Sequence, residues 1–205
     1  YKFFPFSKKQ NPLYLIIVRI VDVVVSIIGL SVLLLILPII LLFNLIWNKG
    51  PLLFHQERIG RKEAPFKIFK LRTMIVNAEK NGAVFATVND NRITPFGKLL
   101  RKTRIDEFPQ FINVLKGEMS IIGPRPERKV FVDQIANEIP LYHTRHIVKP
   151  GLTGWAQINY PYGETLEDSL MKLEYDLYYI KHRSIFLDIN IAVKTFGTIL
   201  YMKGQ

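Results

Sequence analysis

The sequence predicts an α/β protein, mostly helical, that sits on one face of a membrane. Its parts are a re-entrant N-terminal helix, a small β-hairpin and interfacial amphipathic helices. Three observations lead there. Residues Val23 to Trp47 form a run of 25 without a charge. Basic residues flank that run on both sides. Beyond it, apolar residues recur mostly at helical spacing, with one period-two stretch between residues 52 and 72.

As a helix the apolar run would reach roughly 37 Å, enough to cross a hydrocarbon core of about 30 Å. A spanning helix is therefore one reading. The charge pattern favours another. Lys2, Lys8, Lys9 and Arg19 precede the run, and Lys49, Arg58, Arg61 and Lys62 follow it. Orientation follows Lys/Arg asymmetry, and here there is almost none. Pro38 lies near the middle and supplies a break, so the chain is expected to enter and leave by one face. Residues 13–48 are read as the membrane segment and 49–205 as a separate domain. Arg19 and Asp22, three apart, are expected to pair.

Leu52 to Gln56 and Phe66 to Arg72 bracket a turn-rich stretch from Gly60 to Pro65, which reads as a hairpin. On its second strand Phe66, Ile68, Lys70 and Arg72 share a face. Residues 77–93 read as a polar loop. Thr94-Pro95 supplies an N-cap and first position for a helix carrying Phe96, Leu99 and Leu100. A break near residues 103–105 precedes a second helix from about Glu107 to Lys116, closed by Gly117. Leu166, Leu170, Leu173, Leu177 and Ile180 form one helical stripe. Ser184 then caps a last helix with Ile185, Ile189, Ala192, Val193, Phe196, Ile199 and Leu200 on a face. Phe186 and Ile191 fall off that stripe, and Lys181, Arg183, Lys194 and Lys203 bracket the helix, so it also suits a membrane interface.

The net charge of +11 favours anionic partners: nucleic acid, an anionic leaflet or phosphorylated substrates. Residues 48–205 carry +8 of it, with 24 basic and 16 acidic residues. There is no cysteine, which excludes disulfides and thiolate metal sites. No G-x-x-x-x-G-K-[ST] or G-x-G-x-x-G occurs, so the two commonest nucleotide cradles are unsupported. His55, His143, His146 and His182 show no zinc-protease pattern and read as surface or hydrogen-bonding residues.

The chemistry concentrates in Arg104-Ile-Asp106-Glu107-Phe-Pro109-Gln110 and in Gly123-Pro-Arg125-Pro126. Asp106 and Glu107 at a helix start can converge on one ligand in the positive end of its dipole. They would equally serve as a cap and a first-turn acid. A carboxylate attacking phosphorus needs cations to neutralise the phosphoryl oxygens, and Arg101, Arg104, Arg125 and Arg145 are at hand. Hard oxygen ligands without thiolate or a dense histidine cluster point to Mg²⁺ at Asp106 and Glu107. Two prolines would fix Arg125. Lys149 to Asn159 reads as a stiff loop whose polar groups, Gln157 among them, suit a small polar molecule.

The blocks Arg19-x-x-Asp22, Pro38, Gln56-x-Arg58-x-Gly60, Phe66-Lys-Ile-Phe-Lys70-Leu-Arg72-Thr-Met74, Arg101, Asp106-Glu107-x-Pro109-Gln110, Asn113 to Ser120, Gly123-Pro-Arg-Pro126, Arg145, Pro150-Gly-x-Thr-Gly154 and Glu174-Tyr-Asp176 run in order. Together they resemble the bacterial sugar transferase family, also called monotopic phosphoglycosyl transferases. The resemblance implies transfer of a sugar 1-phosphate from a UDP-sugar to undecaprenyl phosphate, with Mg²⁺ and release of UMP. It also implies a site on the cytoplasmic face of the bacterial inner membrane. By resemblance Asp106 is the nucleophile of a phosphosugar–enzyme intermediate and Glu107 its partner. Lys70, Arg72, Arg101, Arg125, Arg145 and Gln157 then become substrate-binding candidates. The segment Trp155 to Ile180 resembles exopolysaccharide members, which implies a UDP-hexose donor. Larger members carry a membrane domain ahead of this one, which Tyr1 in place of Met would fit. Two positions depart from small members: Leu37 stands where Ser is common before the proline, and Asn159-Tyr160-Pro161 replaces Asn-Gly-Arg. Nucleic acid is not an expected partner, and a homo-oligomer is left open. Two other readings of the residues are a basic membrane scaffold without catalysis and a phosphohydrolase built on the same dyad.

Overall fold

Asn11 opens one long helix, α1 (Pro12–Trp47), by accepting a bond from the Leu13 amide, with Pro12 in the first turn. The computed structural model describes residues 11–80, 82, 90–160, 163 and 165–200, except the side chains of 199 and 200. Lys2, Lys8, Lys9, Pro161, Lys203, and residues 81 and 83–89 of the polar stretch lie outside them. The helix is 36 residues long and continues through Pro38, so the expected break is not seen there. Proline withholds only its own N–H, and the turns on either side remain helical. The expected Arg19–Asp22 pair is replaced as well. Arg19 donates to the carbonyls of Val114 and Leu115 at 2.6 and 2.7 Å. Asp22, buried, accepts from the Ser120 hydroxyl and the Ile121 amide at 2.9 and 2.8 Å. Orphan backbone groups at the end of a helix and the edge of a strand are the more demanding partners.

The hairpin forms as read: β1 (Leu53–Ile59) pairs antiparallel with β2 (Pro65–Leu71), Leu53 opposite Leu71 and Ile59 opposite Pro65. Alternation buries Phe66 and Ile68 against Val114 and Met119. Leu71, on the other face, packs with Ile40, Phe96 and Leu100. Helix α2 (Pro95–Lys102) starts at Thr94, whose hydroxyl accepts from the Gly97 amide at 3.0 Å. Gly97 is required by close approach, since a Cβ there would lie 1.9 Å from the Thr73 carbonyl oxygen.

The helix expected from Glu107 to Lys116 is two elements. A 3-10 turn, Ile105–Gln110, follows left-handed Arg104 (φ 57°) and contains Pro109. Helix α3 (Phe111–Lys116) then ends at Gly117 with φ 81°. Pro109 cannot donate the bond a continuous α-helix needs, so the first turn tightens. Asn113 ties α3 to β2: its side chain accepts from the Phe69 amide and donates to the Lys67 carbonyl.

Strand β3 (Ser120–Ile122) and strand β4 (Gly151–Thr153) make a short parallel pair that the sequence did not reveal. Helix α4 (Lys129–Glu138) and the short α5 (Trp155–Asn159) complete the middle of the chain. Helix α6 (Leu166–His182) begins with a capping box between Thr165 and Asp168, and buries Leu173 and Ile180 from its stripe. In the last helix, α7 (Ile185–Leu200), the Leu187 amide donates to the Ser184 hydroxyl as expected of a cap, and the apolar stripe turns away from the core. Ile191 is fully buried, while Ile185, Ile189, Val193 and Phe196 are exposed and Phe186 is 86% exposed. Polar anchors set this rotation: Asp188 accepts from the hydroxyls of Tyr14 and Tyr179, and Thr195 meets Thr153 at 2.8 Å.

Candidate active site

Lys70, Arg72, Arg101, Asp106, Glu107, Arg125, Arg145 and Gln157 all line one open cavity of about 1280 Å³. Arg104 lines it too. The hairpin supplies Lys70, α2 supplies Arg101, the 3-10 turn supplies the two acids, and the loop after β3 supplies Arg125.

The two acids, both 7% exposed, have opposite surroundings. Glu107 is saturated with cations. Its Oε1 accepts from Lys70 Nζ at 2.9 Å and from Arg125 Nη2 at 3.0 Å, and its Oε2 lies 3.8 Å from Arg104 Nη1. Burial works against its charge, but Lys70, Arg125 and Arg104 outweigh burial and hold the carboxyl well below the usual range. Lys70 is pushed down by burial, and Glu107 opposes that shift. The Asp106 carboxylate has no hydrogen-bond donor among the described residues. Burial and then the Glu107 charge raise it to about 6, against the pull of Lys70, Arg101 and Arg125. The pair is thus one carboxyl held well below the usual range beside one raised to about 6.

The basic residues divide by what their side chains already hold. Arg72 is committed to structure. It donates to the Pro51 carbonyl through Nε, to the Asn48 side chain and the Met74 carbonyl through Nη1, and to the Asn48 carbonyl through Nη2. That set pins the end of α1 to the end of β2. Arg145 is buried and equally engaged. It bonds Asp176 at 2.8 Å, the Tyr142 hydroxyl at 2.7 Å and the Arg125 carbonyl at 2.9 Å. Arg145 therefore holds the backbone of the residue that reaches Glu107. Arg101 gives its Nε to the Thr73 hydroxyl and has no other hydrogen bond among the described residues. Gln157 donates to the Leu152 carbonyl, and its Oε1 is buried without a hydrogen-bond partner among the described residues.

Two glycine motifs explain the rigidity around Arg125. A Cβ on Gly123 would lie 2.4 Å from the Lys149 carbonyl oxygen, and one on Gly154 would lie 2.2 Å from the Gly123 carbonyl oxygen. The Lys149–Asn159 stretch is therefore less a ligand loop than a strand and helix start laid directly on the Arg125 loop. Arg104 belongs to the Glu107 cage, as its neighbourhood in sequence suggested. The Arg145–Asp176 pair escaped the residue reading, because 31 positions separate its members. Only the Glu174-Tyr-Asp176 block pointed to it.

The acids fit a hard divalent ion in part. Asp106 offers an undonated carboxylate and Glu107 its Oε2, while Lys70 and Arg125 occupy Oε1.

A family model described as bacterial sugar transferase matches residues 13–202. A UDP-N-acetylgalactosamine-undecaprenyl-phosphate N-acetylgalactosaminephosphotransferase of Aeromonas hydrophila is 46% identical over 95% of this chain and 46% of its own length. A UDP-glucose:undecaprenyl-phosphate glucose-1-phosphate transferase of Klebsiella pneumoniae is 43% identical over 93% of this chain and 41% of its own length. A protein of the same name from Escherichia coli K12 is 47% identical over 72% and 32%. The chain spans less than half the length of these three relatives.

Proposed function

The chain belongs to the bacterial sugar transferase family, and from that premise we propose that it transfers a sugar 1-phosphate from a UDP-sugar to undecaprenyl phosphate. The donor is a UDP-hexose or its N-acetylamino counterpart, the two classes that the relatives' names carry. The observation that supports this best is the split dyad. Asp106 is the one buried carboxylate at the cavity that no described donor holds, and cations surround it.

The reaction runs in two displacements. An Asp106 oxygen attacks the phosphorus bonded to the sugar, and an Oδ–P bond forms. The P–O bond to the uridylyl phosphate breaks, and its electron pair leaves with UMP. The lipid phosphate oxygen then attacks the same phosphorus, the Oδ–P bond breaks, and the carboxylate is regenerated. Splitting the transfer lets the soluble donor and the lipid acceptor use one site in turn. Arg125 and Arg101 bind the phosphoryl oxygens. Glu107, caged by Lys70, Arg104 and Arg125, orients those cations rather than taking a proton. Mg²⁺, held by Asp106 and Glu107 Oε2, would add charge neutralisation at the phosphates.

The membrane geometry supports the same reading. Helix α1 is tied to the rest of the protein near both ends: Tyr14 bonds Asp188 in α7, and Asn48 bonds the Arg72 carbonyl after β2. Between them Arg19, Asp22 and Gly29 also meet α3 and β3. A helix bound along its length to one body keeps both ends on that body's side. Its other face, including Leu34, Leu35, Leu42 and Leu45, is apolar and exposed. We place α1 in the cytoplasmic leaflet of the inner membrane, entering and leaving by one face, with residues 49–205 as the catalytic part.

The test is UMP release from a panel of UDP-sugars, with and without undecaprenyl phosphate. Lipid-dependent release with one donor is expected, together with a sugar-phosphate mass adduct when lipid is withheld. Release of inorganic phosphate, or UMP release indifferent to lipid, would overturn the reading in favour of a hydrolase.

A further inference from the structure

The hairpin tip meets the 3-10 turn Tyr142–Ile147, remote from it in sequence. There Glu63 Oε1 lies 2.8 Å from His143 Nδ1 and 4.0 Å from His146 Nδ1. One ligand atom from each residue falls within 4.8 Å of the others. Of these histidines, read as surface or hydrogen-bonding residues, His143 is half-exposed while His146 is buried. We propose that Glu63, His143 and His146 form a site for a divalent transition-metal ion of zinc type, which clamps the hairpin tip to the turn that carries Arg145.

Three features carry this. His146 is 7% exposed and its Nδ1 has no hydrogen-bond partner among the described residues. A buried polar atom left unpaired is uncommon and calls for an explanation, and a metal ion would satisfy it. The donor set is the second. Two imidazole nitrogens and one carboxylate oxygen suit zinc, whereas the all-oxygen dyad suits magnesium. The third is reach. Ligands of a tetrahedral zinc ion sit about 3.4 Å apart, given bonds near 2.0–2.1 Å. Closing the present 4.0 Å gap needs only a small swing of Glu63, whose side chain is 54% exposed. The fourth position is left to water, since Glu63 and His143 are half-exposed. Arg145 stands between the two histidines in sequence and holds the Arg125 carbonyl, so a filled clamp would stiffen the support of the phosphate-binding loop.

The experiment titrates zinc chloride into the chelator-stripped, detergent-solubilised chain in excess Mg²⁺, followed by calorimetry and thermal melting. One zinc per chain, sub-micromolar affinity and a melting temperature raised by several degrees are expected. His143→Ala, at an exposed position, should fold normally yet weaken zinc at least about 10-fold, the scale on which even outer partners of a ligand act. Glu63→Gln should do the same. Asp106→Asn with Glu107→Gln should keep zinc affinity, which separates this site from the dyad. Absence of sub-micromolar binding, affinity unchanged by His143→Ala, or loss of zinc with the dyad variant would each overturn the proposal.

Discussion

At Asp106 the proposed role and stability pull in opposite directions. Its carboxyl is raised by burial and by Glu107 to about 6, whereas an unfolded aspartate ionises near pH 4. The folded state thus binds the proton more tightly than the unfolded chain. Stability associated with this group is fully present below about pH 4 and is lost as pH rises through about 6. Asp106→Asn should therefore abolish lipid-dependent UMP release and the mass adduct, yet raise the melting temperature of the ligand-free, metal-free protein at pH 7.5. Each kcal/mol recovered is worth about 2–4 °C for a chain of this size. The gain should vanish near pH 4. A variant that melts below wild type at pH 7.5 would show that the carboxylate is held by something other than repulsion. The arginines give the complementary contrast. Arg125→Gln should cost most of the activity with little change in melting, because its side chain is one-third exposed. Arg72→Gln should lower the melting temperature, because it strands the backbone and side-chain acceptors around Asn48 in a buried place. Equal melting shifts for the two would erase the division between substrate-binding and structural arginines. Both sit on a strand or loop full of basic residues, so sequence alone put them in one class.

Among the elements, α1 is held most closely at Gly29. A Cβ there would lie 2.2 Å from the Phe111 ring, at the start of α3 and directly after the turn that bears the dyad. Gly29→Val should push α1 from α3, lower both stability and turnover, and be partly rescued by Phe111→Ala. No rescue in the double variant would mean that the two residues are not coupled through this contact. What was legible at this scale follows from local chemistry. The hairpin, the Thr94-Pro95 cap and the Gly117 stop were all readable, because each is specified by neighbours in sequence. The rest was set by distant partners. Strands β3 and β4 are three residues each and exist because Gly123, Gly151 and Gly154 let two backbones touch. The apolar stripe of α7 suited either a core or a membrane interface, and only the polar contacts of Asp188 and Thr195, made with distant partners, turn it outward. Spacing left Asp106 and Glu107 as either a cap pair or a dyad, and resemblance chose between them; the cage of Lys70 and Arg125 could be assembled only in three dimensions.

For the whole molecule, most of the exposed large apolar side chains among the described residues lie on α1 and α7, and Tyr14–Asp188 joins the two helices. A water-soluble protein rarely leaves so much contiguous apolar area open. Under the proposed function both helices would seat in the membrane interface, and the cavity would then lie where a lipid phosphate arrives. Two predictions test this. Single cysteines at Pro12 and Lys49, both exposed and on a chain that has no other cysteine, should label from the same side in oriented membranes. Labelling of the two from opposite sides would restore a spanning helix. The second separates membrane seating from chemistry. Phe186 and Phe196 project from α7, and burying each side chain is worth roughly 1.5–3 kcal/mol. Phe186→Glu with Phe196→Glu should lower vesicle retention by more than about 10-fold, since 1.4 kcal/mol is already tenfold in a binding constant. The first half-reaction uses only the soluble donor and residues remote from α7's outer face, so adduct formation at Asp106 should keep its rate. The second half-reaction draws its acceptor from the bilayer, so the concentration of undecaprenyl phosphate needed for half-maximal turnover should rise. Loss of adduct formation along with vesicle binding would make α7 part of the catalytic scaffold. Unchanged vesicle binding would leave its outward face without a membrane to meet.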